Sequence, residues 1–113
     1  MHISERMSGG VVVIDVSGKI TLGDGGDVML RDKIRSLIQQ EHKKLLLNLG
    51  DVSYVDSAGL GEIVQAYATT SKMGGALKLL NPTKRIKDLL SITKLLTVFQ
   101  TFDNEAEAVK SFG

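Results

Sequence analysis

Asn48-Leu49-Gly50-Asp51-Val52-Ser53-Tyr54-Val55-Asp56-Ser57-Ala58-Gly59-Leu60-Gly61 is the stretch that decides how this chain folds. It continues Leu45-Leu46-Leu47, a short apolar run that sits between a charged cluster and Gly50-Asp51. Composition alone does not separate strand from helix there, but the length of the run favours a buried strand over Leu45–Leu49. After Tyr54-Val55 the chain turns at Asp56-Ser57-Ala58-Gly59, and a helix follows with Leu60, Ile63, Val64 and Tyr67 on its apolar face. The opening of a helix carries unpaired backbone N–H groups and the positive end of the macrodipole. Ser57 stands at that opening. Its hydroxyl suits a helix cap, and a phosphate attached to it would lie where negative charge is tolerated. Ala58, Gly59 and Gly61 either keep the surface low enough for another protein to approach or allow close packing of helix on sheet.

Outward from this segment the pattern alternates. Ile3 to Met7, the turn signal Ser8-Gly9-Gly10 and the β-branched run Val11-Val12-Val13-Ile14-Asp15-Val16 read as a hairpin whose second strand is the more buried. Gly18 to Asp27 holds four glycines and two aspartates and reads as a loop, with Asp27 placed to cap the next helix. Leu30, Ile34, Leu37, Ile38 and Glu41 share one face of that helix. Downstream, Gly74-Gly75 stops the helix that begins near Ser57. Leu77 to Leu80 reads as a strand, and Asn81-Pro82 as the start of a helix carrying Ile86, Leu89, Leu90 and Ile92. Val98-Phe99 reads as a last short strand, and Asp103 or Asn104 as the cap of a final helix with Ala106, Val109 and Phe112 turned inward. The order β-β-α-β-α-β-α-β-α predicts an α/β fold, one domain over residues 1–113. Its sheet is mixed and mostly parallel, with an N-terminal hairpin, under a cover of about four helices.

Bulk composition removes several function classes. The 14 basic and 13 acidic side chains nearly cancel, so no long-range field draws nucleic acid or an anionic membrane. Two Tyr, three Phe and no Trp give little for stacking single-stranded bases. The absence of cysteine removes disulfides, thiolate catalysis and cysteine zinc sites. Met1-His2-Ile3-Ser4-Glu5-Arg6 lacks the apolar run of a secretory signal, and no stretch approaches the ~20 apolar residues that span a bilayer. The expected location is the cytoplasm, without membrane insertion.

The remaining chemistry is sparse. Ser57 occupies a strand-to-helix turn as a nucleophile elbow does, but Val55 stands where that motif needs glycine. His2 and His42 both precede the serine, out of place for the base of a hydrolase triad, and without paired carboxylates they make a poor metal site. The loop Thr21-Leu22-Gly23-Asp24-Gly25-Gly26-Asp27 lacks the ending of a phosphate-binding P-loop and the spacing of an EF-hand. It reads as a connection beside the Ser57 surface. Lys84-Arg85-Ile86-Lys87 reads as a solvated basic face, and Met73 as core filler. The expectation is a protein with no catalytic residues, no metal and no cofactor.

The central segment resembles the signature of the STAS domain family, anti-sigma-factor antagonist type, in which a strand ending apolar-Asn-Leu runs to Asp-Ser-Ser/Ala-Gly-Leu-Gly. Gly74-Gly75, Leu77 to Leu80, Ile92-Thr93-Lys94-Leu95 and Val98-Phe99 extend the resemblance across nearly the whole chain, from Val11 to Phe112. It implies that Ser57 is a phosphoacceptor and that Asp56 is its acidic neighbour. The implied partners are an anti-sigma factor serine kinase, which supplies ATP and is bound while Ser57 is unphosphorylated, and a serine phosphatase. It further implies a partner surface built from Thr21, Gly23, Asp24, Asp56, Ala58, Gly59, Leu60 and Gly61, on a monomer or weak dimer. The alternative within the same fold is a non-catalytic subunit of a stress-signalling scaffold or of a membrane transport complex. Thr21 departs from the family, standing where many antagonists carry Asp in a Gly-x-Leu-Asp pattern; Asp24 lies near enough in sequence to stand in for it.

Overall fold

Val11-Val12-Val13-Ile14 places large apolar groups on both faces of one strand, so that strand belongs inside a sheet covered on both sides. In the computed structural model, which describes residues 1–113, it begins β2 (Val11–Ile20). It is flanked by antiparallel β1 (His2–Ser8) and by parallel β3 (Lys44–Val55). Parallel β4 (Ala76–Leu80) and β5 (Thr101–Phe102) complete a five-stranded sheet in the order β1-β2-β3-β4-β5.

The two faces are covered unequally. α1 (Gly26–Gln39), α2 (Ser57–Lys72) and α3 (Lys84–Ile92) cover one face. Leu30, Ile34, Leu37 and Ile38 of α1 pack there with Ile63 and Ala66 of α2, Ile86 and Leu90 of α3, and Val12, Ile14, Leu45 and Leu47 of the sheet. Each fully buried Leu or Ile contributes roughly 1.5–3 kcal/mol. The other face holds a smaller cluster, Val11, Val13, Leu46 and Leu80, under Ala108 of the short helix α4 (Glu105–Ser111). No helix is long and apolar enough to cross a membrane.

The expected class, element order, hairpin and helix count are those observed, and several boundaries differ. β2 continues through Gly18-Lys19 to Ile20 and β3 runs on to Val55, because Ile20 pairs with Val55 across two irregularities of register. The glycine-rich loop therefore shrinks to Thr21–Gly25. Asp27 is not a cap: Gly25, at φ 70°, precedes the helix, and Asp27 is buried in its first turn. α1 ends at Gln39, which leaves Glu41 beyond it.

The helix expected from Asn81-Pro82 begins at Lys84, with the Thr83 hydroxyl accepting from the Ile86 N–H. Asn81 is still tied to the sheet edge through its N–H to Phe102 O (2.7 Å). Val98-Phe99 is not the last strand. The Phe99 ring is drawn into the core, edge-to-face on Tyr67 at 5.1 Å, and pairing passes to Thr101-Phe102. Ile92, Met73 and Ala106 are exposed, and Ala108 takes the inward place on α4. Asn104 is the cap of α4, its side chain accepting from the Glu107 N–H at 3.0 Å.

Candidate partner-binding site

β2 and β3 end level with one another, Ile20 beside Val55, so Thr21 and Asp56 leave the sheet side by side. The Asp56 N–H donates to Ile20 O (3.3 Å) and extends the ladder by one bond. Two helices begin against this corner. The Gly26 N–H donates to Thr21 O (3.0 Å), and a Cβ on Gly26 would lie 2.6 Å from Lys19 O. A Cβ on Gly59 would overlap Ile20 O. Only glycine lets both helix starts press onto the end of β2.

Asp56 caps α2 and does a second job. Its Oδ1 accepts from the Gly59 N–H (2.8 Å), and its Oδ2 accepts from the Leu22 N–H (3.0 Å) in the facing loop. Those two N–H groups, Gly59 foremost, hold its carboxyl below the usual carboxylate range. The cap expected of Ser57 is thus taken by Asp56. Ser57 becomes the first residue of α2, with an exposed side chain.

Across the corner the Thr21 hydroxyl donates to Asp24 Oδ2 (3.0 Å) and accepts from the Asp24 N–H (3.3 Å). The carboxylate missing at position 21 is therefore held one side chain away.

Of the residues expected at this surface, Gly23, Asp24, Ser57 and Gly61 are exposed, and Asp56, Ala58 and Leu60 are half-buried. Gly59 and Thr21 are buried, and of the two readings open for Gly59 the structure shows close packing of helix on sheet. Gly59 must pass close to Ile20, and Thr21 is folded under by its bonds to Asp24, so both shape the surface from beneath. A Cβ added at Gly61 would meet no atom within 4 Å, and the surface is open there.

The loop expected at this surface adds one exposed apolar residue, and two further contributors were not foreseen. Leu22, in the Thr21 to Asp24 loop expected at the surface, is 68% exposed at the loop tip. Tyr54, also exposed, carries the Arg85 guanidinium 4.8 Å from its ring centroid, a contact between elements that no local pattern encodes. No group of three or more His, Cys, Asp or Glu side chains gathers to hold a metal.

The chain as a whole resembles known proteins. The family described as STAS domain matches residues 2–108. The chain is 33% identical over 95 residues to the anti-sigma-B factor antagonist of Bacillus subtilis, 84% of each chain. It is 36% identical over 73 residues to a TM1081 homolog from Thermotoga neapolitana, an alignment that spans 65% of that relative's length and so just under two thirds of it. The solved structure of the anti-sigma factor antagonist SpoIIAA in its unphosphorylated form superposes with a TM-score of 0.81 at 22% identity, covering 97% of this chain and 95% of that one. SpoIIAA from Bacillus has also been solved in a phosphorylated form, which superposes at 0.77. The chain belongs to the STAS domain family.

Proposed function

We propose that this protein is an anti-sigma-factor antagonist, a single STAS domain over residues 1–113 that acts by binding and not by catalysis. In its unphosphorylated form it sequesters an anti-sigma factor in the cytoplasm. Ser57 is the phosphoacceptor; the anti-sigma factor is the kinase that modifies it with its own ATP, and a serine phosphatase resets it. Thr21, Gly23, Asp24, Asp56, Ala58, Gly59, Leu60 and Gly61 form or shape the partner surface, with Ser57 at its centre. The observation that carries this reading is the division of labour at the start of α2. Asp56 takes the cap, which leaves an exposed serine hydroxyl at a helix N-terminus with open space over Gly61. The names of its relatives point the same way.

The test is a capture from source cytosol with unphosphorylated protein, followed by ATP. The expected result is a bound ATPase of the anti-sigma type that transfers phosphate to Ser57, located by mass spectrometry, and then releases the protein. Label on another residue, or a transporter subunit as the captured partner, overturns the reading.

A further inference from the structure

A second concave feature lies the whole length of β3 away from Ser57. The starts of β3 and β4 and the end of α4 border an open cleft of about 390 Å³ lined by Lys43, Lys44, Gly74, Ala76, Lys78 and Phe112. No carboxylate lines it. The five ion pairs of the fold lie elsewhere, so none of its three lysines is neutralised.

Register explains the convergence. Lys44 lies opposite Ala76 and Leu46 opposite Lys78, which makes Lys44 and Lys78 diagonal neighbours on the α4 side of the sheet. Lys43 is anchored by its carbonyl, which accepts from the Ala76 N–H (2.7 Å).

Lys78 is the unusual member, with only 9% of its surface exposed. Its Nζ donates to Ser111 O (3.0 Å) and Ser111 Oγ (2.9 Å) and lies 4.6 Å from the centroid of the Phe112 ring. An ammonium has three donors, so one remains after Ser111 is served. Burial pushes the Lys78 amine below its usual range, with no carboxylate to oppose the shift. A cation withdrawn from water without a counter-charge is costly, and an incoming anion offsets that cost. Three lysines lining one concavity suit an anion with several oxygens and more than one charge better than a single carboxylate.

We propose that this cleft is a binding site for the phosphate group of a small molecule. The third donor of Lys78 and the side chains of Lys43 and Lys44 take the oxygens, and the apolar body of the ligand lies along Phe112 and Ala76. The site is separate from Ser57 and does not depend on the function assigned to that residue.

The experiment is an NMR titration of the whole protein with inorganic phosphate and with pyrophosphate, against sodium acetate at matched ionic strength. Saturable shifts of the Lys44, Ala76, Lys78 and Ser111 amides are expected, with a rise in the Lys78 ammonium pKa. Lys43 and Lys44 are exposed, so Lys43→Gln/Lys44→Gln leaves the fold intact and is expected to weaken binding about tenfold or more. Ser57→Ala should bind phosphate as the parent does. Shifts that never saturate, an equal response to acetate, or unchanged affinity in the double lysine variant overturns the proposal.

Discussion

The Asp56 carboxylate accepts a 3.0 Å hydrogen bond from the backbone N–H of Leu22, a residue 34 positions earlier in the chain. Its other oxygen caps α2 through Gly59. One side chain thus fixes both the start of the helix that presents Ser57 and the loop that faces it. The loop position and the exposed hydroxyl are set together.

Replacing Asp56 separates these roles. Asp56→Ala loses both bonds, and the expected result is a folded protein whose Tm falls by about 5 °C. Amide exchange should speed up most from Thr21 to Gly25. Asp56→Asn keeps a side-chain oxygen and can retain one of the two bonds, so it should fall between. Unchanged exchange at Leu22 in Asp56→Ala would show that the carboxylate does not hold the loop.

The two glycines of α2 should respond in opposite directions. A Cβ at Gly59 meets the backbone of Ile20, and backbone cannot swing aside, so Gly59→Ala is expected to cost about 3 kcal/mol or more. At Gly61 the space is open and the residue is helical, so Gly61→Ala should gain about 0.5–1 kcal/mol. Gly61→Trp should also fold, yet lose the partner. Urea midpoints for the two alanine variants decide the first pair of effects, and titration calorimetry the last.

A phosphate at Ser57 should act at the surface and leave the fold standing. It adds ~1.5–2 negative charges, which the helix N-terminus favours by ~0.3–1 kcal/mol against repulsion from the neighbouring Asp56 carboxylate. A charge facing a partner built for a neutral hydroxyl costs on the order of 2–5 kcal/mol, roughly a thirtyfold to several-thousandfold loss of affinity. Ser57→Ala should bind the partner and resist modification. Ser57→Asp should melt near the parent temperature and bind weakly, though less weakly than the phosphoprotein. A Tm lowered by tens of degrees, or an affinity untouched by phosphorylation, contradicts this mechanism.

Acid should destabilise the protein through three carboxylates. Gly59 and Leu22 lower the Asp56 pKa, and the Arg6 guanidinium lowers those of Asp15 and Glu105 from their usual 3.8 and 4.5. Arg6 donates to Asp15 through Nε (2.7 Å) and to Glu105 through Nη1 (2.9 Å). A carboxyl depressed in the folded state stabilises fully above its unfolded pKa. Below that value the unfolded chain takes up protons first, and the contribution is lost as pH falls through the folded pKa. Denaturation midpoints should therefore drop below about pH 4.5, and Arg6→Gln should flatten the drop. An identical acid profile in Arg6→Gln would rule out the Arg6 cluster as its source.

Much of this was legible in residue order. Val11-Val12-Val13-Ile14 and Leu45-Leu46-Leu47 declare strands buried on both faces, and the spacing of Leu30, Ile34, Leu37 and Ile38 declares an amphipathic helix, because such periods are local properties of the chain. The turn after Val55 was legible as a helix start for the same reason, while the phosphoacceptor role of Ser57 is what the family resemblance implies. What the sequence by itself determined was therefore the kinds of elements, their order and the strand-to-helix turn that holds the candidate site. The tertiary structure alone decided the register that sets Ile20 beside Val55. That register brings the Leu22 N–H to Asp56, gives the cap to Asp56 and leaves Ser57 free, and decides that Gly59 serves close packing against Ile20 while Gly61 stays open. It also turned Phe99 from a strand residue into core, and placed Lys78 beside Lys44. These are pairings between residues distant in sequence, governed by how two strands align and which backbone approaches which, and no local period encodes them.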